Sequence, residues 1–404
     1  MNTFCRFFVG AVFLACSISV AQDHDPLRAK AYRMAQEFLI VDTHIDVPYR
    51  MQILWEDISK RTEKGDFDFI RARQGGLDAP FMSIYVPSER EFNGAKSLAD
   101  SLIDMVEGFA KRWPKTFAIA KSTADVEKQF DKGLMSLCMG MENGSTVEGK
   151  LENLRHFHSR GIRYITLTHG KDNHISDSSY DTTHTWKGMS SFGKQVVAEM
   201  NRLGIMVDIS HVSDEAFYQV MEISKAPAIA SHSSCRAYTP GFERNMSDDM
   251  IKLLAKNGGV IMINFGSSFL NDTYRQEESR QQKSLDSLFK ANNLTPRDSS
   301  AEAFVHEYRQ NHPLPALTVA DVVEHIDHVV KLAGVDHVGF GSDFDGVGDS
   351  LPIGIKDVSM YPNIIHGLLK KGYAEKDIEK ICGGNLLRVW TQVEKKAKSL
   401  KARK

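Results

Sequence analysis

Eight short apolar runs recur along the chain, separated by helical stretches, and nearly all of them finish on a residue able to bind a metal or move a proton. The runs are "FLIVDTHID" (38–46), "FMSIYV" (81–86), "LMSLCMGME" (134–142), "IRYITLTH" (162–169), "IMVDISH" (205–211), "PAIASHS" (227–233), "VIMINFG" (260–266) and "HVGFGSD" (337–343). Continuous apolar runs of this length suit strands buried on both faces of a parallel sheet. The segments between them carry helix punctuation. "SDEAFYQVMEISK" and "SDDMIKLLAKNGG" open with Ser213 and Ser247 followed by acids, while "TADVEKQFDKG" and "LENLRHFHSRG" close on Gly133 and Gly161 after a basic residue. Serine N-caps, acids in the first turn and glycine past the last turn are the expected signals. Eight strands alternating with helices predict a (β/α)8 TIM-like barrel, a fold that can exceed 400 residues with insertions. A doubly wound sheet is the competing architecture. The polar stretch 267–316 reads as an insertion after the seventh strand.

A barrel also explains where the polar residues fall. His44 and Asp46 end strand one, Glu142 ends strand three and His169 strand four; His211, His232 and Asp343 end strands five, six and eight. In this fold the C-terminal ends of all eight strands meet at one face, where active sites lie. Each residue alone has a bland reading as a satisfied structural histidine, a helix-start acid or a turn cap. A structural role gives no reason for all of them to occupy the same end. His156, His158, His174, His184, His325 and His328 fall in helical or loop contexts and read as surface or support.

Histidines and carboxylates without thiolates suit Zn²⁺ or a similar divalent ion. The donors are too many for one tetrahedral ion with an open position, and a central glutamate can bridge two ions about 3.5–4 Å apart. The residues therefore predict a binuclear hydrolase working through a metal-held hydroxide. A metal lowers the pKa of water from about 15.7 to about 7, worth about 12 kcal/mol at ~1.36 per unit.

The bulk of the sequence narrows the alternatives. Its 404 residues are 42% hydrophobic and 25% charged with net charge −2, which is ordinary globular composition and gives no reason to expect nucleic acid as a partner. Arg6, the apolar stretch Phe7 to Val20 and the small residues Ser19 and Ala21 read as an export signal over 1–21, cleaved near Ala21. That stretch falls short of the ~20 apolar residues a membrane span needs, so the mature chain 22–404 is expected to form one barrel domain, periplasmic or extracellular, with no transmembrane segment. A lipoprotein signal at Cys16 ranks second, because Phe13 stands where such a signal usually has leucine. Cys138, Cys235 and Cys382 remain after cleavage, widely spaced and odd in number, which excludes a disulfide scaffold and a thiolate zinc site.

In these residues the chain resembles the membrane dipeptidases, zinc-dependent peptidases within the metal-dependent amidohydrolase barrels. The resemblance covers nearly all of the mature chain and rests on "DTHIDVP", "GMENG", "RYITLTH", "DISHVS", "ASHSSCRAY", "ERNMSDDM", "GFGSDFDG" and "GGNLLRV" in the family's order. It implies that His44 and Asp46 hold one zinc, that His211 and His232 hold the other, and that Glu142 bridges them. It further implies that His169 binds the substrate carbonyl and stabilises the oxyanion, that Arg244 grips the substrate carboxylate, and that Asp343 is the acid/base. The implied activity is hydrolysis of dipeptides, including those with a C-terminal D-residue, in an assembly that is often a homodimer. Two departures bear on substrate preference: "GKDNHISDSSYDTTHTWKG" lacks the cysteine pattern of animal members, and "NFGSSF" places Gly266 where they carry an aromatic contact. Two other readings stay open from the residues. One is an amidohydrolase acting on a cyclic amide or lactone, although such relatives usually place a carboxylated lysine at the bridging position. The other is a non-catalytic peptide-binding barrel, which predicts a broken ligand set, and none is broken here.

Overall fold

The computed structural model describes residues 25–292 and 299–402; the expected leader 1–21, with Cys5 and Cys16, lies outside them. Nine strands are present among the described residues: β1 (Ile40–Ile45), β2 (Leu77–Tyr85), β3 (Phe117–Ile119), β4 (Met135–Glu142), β5 (Ile162–Thr166), β6 (Met206–Asp208), β7 (Ile229–Ser233), β8 (Val260–Ile263) and β9 (Val338–Phe340). The sheet runs β2-β1-β9-β8-β7-β6-β5-β4-β3, and the further pairing of β2 with β4 closes eight of these strands into a parallel (β/α)8 barrel. The extra strand β3, absent from the sequence reading, pairs only with the first residues of β4, at Met135, Ser136 and Leu137. Three residues give too short an apolar run to signal a strand.

Three of the predicted caps form, while the helix Thr123–Phe130 ends at Asp131, two residues before Gly133. Ser213 and Ser247 accept from the backbone N–H groups of Ala216 and Met250, and Gly161 closes the helix Leu151–Arg160 in the left-handed conformation at φ +113°. One face of the sheet contributes Val41, Phe81, Cys138, Tyr164, Met206, Ile229 and Met262 to a cluster that Trp390, from the helix Asn385–Lys401, completes. The Phe81 ring lies 5.5 Å from both Tyr164 and Trp390. Alternate residues such as Met82, Met139, Ile165 and Ile261 face the larger cluster shared with the surrounding helices.

The segment 267–316 lies between β8 and the helix Val319–Ala333 and carries helices Ser267–Leu270, Asp272–Ala291 and Ser299–Asn311. Cys138, Cys235 and Cys382 are buried and free. No helix among the described residues is long and apolar enough to cross a membrane.

Two strands depart from regular alternation where it matters most. β1 pairs Asp42 with Pro80 but Ile45 with Met82, so β1 fits one extra residue between them. β7 does the same between Ala230 and Ser233 against Ile261 and Ile263 of β8. Each bulge sits at a predicted ligand, His44 or His232. An extra residue flips the facing of everything beyond it. Asp42 therefore does not share a side with His44, as strict alternation would require. Its buried carboxylate accepts the Tyr361 hydroxyl at 2.5 Å and the Ser342 N–H at 3.1 Å, and so ties β1 to β9 and to the helix Tyr361–Lys370.

Gly140, in β4, makes room for the interior. A methyl group there would meet the Tyr164 ring at 1.9 Å. Gly140→Ala is expected to lower stability by about 1–3 kcal/mol through overpacking; an equilibrium urea titration beside wild type checks this.

Candidate metal centre

Seven of the predicted residues meet at the C-terminal rim of the barrel. Asp46, Glu142, His169, His211, His232 and Asp343 line one cleft of about 790 Å³, and His44 lies fully buried beneath it. Three overlapping sets have donor atoms close enough to share an ion: His44, Glu142 and His232; Glu142, His169 and His211; His44, Asp46 and Asp343. Glu142 stands between two groups of imidazoles. Its Oε1 is 3.1 Å from His211 Nε2, 3.3 Å from His232 Nε2 and 3.6 Å from His169 Nε2, while its Oε2 is 3.4 Å from His44 Nε2. Asp46 Oδ2 is 3.6 Å from that same His44 nitrogen.

Hydrogen bonds behind the rings fix which nitrogen faces the cleft. The Tyr164 hydroxyl donates its one proton to the Thr43 carbonyl at 2.9 Å, so at 2.8 Å from His44 Nδ1 it must accept. His44 thus keeps a proton on Nδ1, and Nε2 is the nitrogen that faces the cleft. A parallel relay serves His232. Ser231 Oγ donates to the acceptor-only carboxylate of Asp208 at 2.6 Å and receives His232 Nδ1–H at 2.7 Å. Asp208 is held by the Thr166 hydroxyl and by the Ser210 and Ser231 N–H groups. Both rings are therefore oriented as metal ligands by outer partners, the usual arrangement around bound metals. None of Tyr164, Ser231 or Asp208 was singled out from sequence, although "RYIT", "VDIS" and "ASHS" place each within a residue or two of a strand end.

The charges also call for a cation. Asp46, Glu142 and Asp343 bring three carboxylates against one nearby guanidinium, Arg244; Arg50, which also lines the cleft, is engaged by Asp345 and Glu56. Burial, with repulsion from Glu142 and Asp343, pushes the Asp46 carboxyl well above its usual range. Burial also disfavours charge on Glu142, but His44, His169 and the other imidazoles outweigh it and hold that carboxyl low. His44 is the reverse case: burial opposes its charge, yet Glu142 and Asp46 raise its pKa to about 10. Burial, aided by His44 and Arg244, lowers His232 to about 4. His44 Nε2 and Asp46 Oδ1 are buried with no hydrogen-bond partner. Unpartnered buried donors of this chemistry fit divalent ions bound by nitrogen and oxygen.

Several of the left-handed residues fall in the same place. His211 and Asp343 adopt left-handed φ values of +69° and +65°, and Asn143, beside Glu142, sits at +89°. Such conformations persist only where surrounding structure enforces them, and they cluster at functional sites.

Arg244 sits behind His232 rather than in the cleft wall. Its Nη1 donates to Ser233 Oγ and its Nη2 to the His232 carbonyl, both at 2.7 Å, and its Nε is buried without a partner. Phe269, from the segment after β8, lies over the guanidinium at 5.3 Å and lines the cleft, so an aromatic is present although Gly266 is not one. Tyr49, Tyr85 and Tyr180 complete the walls.

Residues 28–404 match the family model described as membrane dipeptidase, peptidase family M19. The chain belongs to the membrane dipeptidase family. Within that family of metal-dependent peptidases it is similar to Dipeptidase 3 of Mus musculus, 33% identical over 92% of this chain and 68% of that protein. It is also similar to an uncharacterized dipeptidase of Schizosaccharomyces pombe, 32% identical over 90% of this chain and 83% of that one. Among solved structures it resembles the probable dipeptidase PvdM from Pseudomonas aeruginosa, with a TM-score of 0.77 and 26% identity over 92% of this chain and 99% of that one. This membrane dipeptidase family member is accordingly a metallo-peptidase with candidate metal ligands in place.

Removing a relay residue tests the tautomer argument. Tyr164→Phe leaves His44 Nδ1–H without its acceptor and is expected to weaken metal affinity about 10–100-fold. Metal content after dialysis against graded free-metal buffers checks this, with Ser231→Ala expected to behave alike through His232.

Proposed function

We propose that this chain is a zinc dipeptidase holding two ions, one on His44 and Asp46 and one on His211 and His232, with Glu142 shared between them. The observation that carries this reading is the division of the Glu142 carboxylate, whose two oxygens address different imidazoles at 3.1–3.4 Å. When bound, two such ions supply Lewis-acid polarisation of the amide carbonyl and acidify water to about neutral pH. The all-imidazole and carboxylate donor set supports zinc as the metal.

The chain's own residues supply the rest. Burial discourages charge on His169, so its imidazole acts as a neutral N–H donor toward the oxygen of the tetrahedral intermediate. Asp343 takes the proton released by the attacking water and delivers it to the leaving amine, a role that requires reach to both atoms. Arg244 recognises the substrate carboxylate through N–H groups not committed to Ser233 and His232. Anchoring at a free carboxylate limits good substrates to those ending one residue beyond the scissile bond. Dipeptides with a C-terminal D-residue belong to the same proposed substrate class. Export rests on the sequence of residues 1–21.

Three measurements address these statements. A dipeptide is expected to be cleaved at least ~10²-fold faster, by kcat/KM, than its C-amidated form or a tripeptide; equal rates would remove the carboxylate-gated reading. Arg244→Met is expected to lower kcat/KM for dipeptides by about 10²-fold or more, the scale of a lost charge-assisted bidentate contact. Chelation is expected to abolish turnover and lower the melting temperature, and two equivalents of zinc to restore both.

A further inference from the structure

Asp343 has two carboxylate oxygens, and their surroundings differ. Oδ2 accepts the Asn264 Nδ2–H at 2.8 Å. Asn264 is fully buried just beyond β8, and its own Oδ1 accepts the Gly266 N–H at 2.8 Å. That second bond fixes the orientation of the amide, so the group facing Asp343 is its NH₂ and can only donate. Oδ1 has a different neighbour. A methyl group on Gly346 would lie 2.4 Å from Asp343 Oδ1 and 2.3 Å from Asp46 Oδ2, so the glycine leaves both oxygens room and keeps them side by side at the rim.

The main chain holds the same loop from both ends. Asp343 N–H donates to the His44 carbonyl at 3.0 Å. Two residues on, Asp345 and Asp66 exchange hydrogen bonds, each carboxylate accepting the other's N–H, at 2.6 and 2.9 Å. The Asp345 carboxylate also accepts Arg50 Nε–H at 2.8 Å, and Arg50 lies one helical turn past Asp46.

We propose that Asn264 is a positioning residue for the acid/base: its NH₂ occupies Asp343 Oδ2 throughout turnover, so the transferred proton rides on Oδ1. The step balances as a proton shuttle. The O–H bond of the attacking water breaks as the Asp343 Oδ1–H bond forms; that bond then breaks as the N–H bond of the leaving amine forms, and the carboxylate is regenerated. The hydrogen bond donated to Oδ2 leaves Oδ1 the more basic oxygen and disfavours rotation of the carboxylate that would turn the loaded oxygen away. The inference rests on the acid/base reading of Asp343.

The test is a double-mutant cycle on the zinc-loaded full chain with a neutral dipeptide, combining Asn264→Ala with Asp343→Asn. Asn264→Ala is expected to lower kcat about 10–10²-fold with KM within about threefold and zinc content unchanged, part of the ~10²–10⁴ that acid/base catalysis supplies. In the Asp343→Asn background the same change is expected to cost less than about threefold, because Asn264 acts only through that carboxylate. The isosteric Asn264→Asp keeps the acceptor for Gly266 N–H, protects against a packing defect and is expected to lose kcat as well. Equal losses in both backgrounds, a loss that tracks zinc content, or wild-type kcat in Asn264→Ala would each overturn the assignment. Failure of the underlying reading gives a different result: Asp343→Asn by itself would retain the wild-type rate.

Discussion

Buried carboxylates facing one another across a barrel mouth need positive charge between them, and the rim of this molecule is arranged around that need. Asp46 and Asp343 share a set with His44, Glu142 meets the same His44 nitrogen, and Arg244 donates to Ser233 Oγ and to the His232 carbonyl in β7. Burial makes each unpaired charge expensive, and four imidazoles supply lone pairs without supplying charge unless protonated. Divalent cations satisfy both kinds of group at once. Glu142 is the centre of this balance, since its two oxygens address His211 and His232 on one hand and His44 on the other.

The ligand atoms are prepared from outside the cleft. Tyr164 and Ser231 act as fixed acceptors for the Nδ1–H groups of His44 and His232, and each hydroxyl passes its own proton onward, to the Thr43 carbonyl or to Asp208. The rings are thus oriented with Nε2 toward the cleft before an ion arrives, and His44, raised to about 10 by Glu142 and Asp46 against the effect of burial, gives up its Nε2 proton on binding one. The same logic extends to Asp343, whose carboxylate is oriented by Asn264 and whose backbone is held in a left-handed conformation.

Much of the site was legible because it is written at the ends of strands. His44, Asp46, Glu142, His169, His211, His232 and Asp343 each follow an apolar run, and a parallel barrel brings the ends of such runs together whatever their separation in sequence. Strict alternation within such runs is a less dependable guide. It would group Asp42 with His44, yet the bulge in β1 sends Asp42 to Tyr361 and Ser342 in a purely structural role. Asn264 escaped notice because an asparagine after a strand has many ordinary uses, and only its distance to Asp343 distinguishes it. The short strand β3 escaped because three residues carry no period.

By itself the sequence determined the fold class and the chemical identity of the candidate ligands, because apolar runs, caps and terminal polar residues are local properties of the chain. Only the tertiary structure decided the facing of His44 and His232, the protonation of their rings, the division of the Glu142 oxygens and the placement of Phe269 over Arg244. Those depend on register. Closing a ring of eight strands accommodates one extra residue in β1 and another in β7, and where the surplus falls is set by neighbours tens to hundreds of residues away.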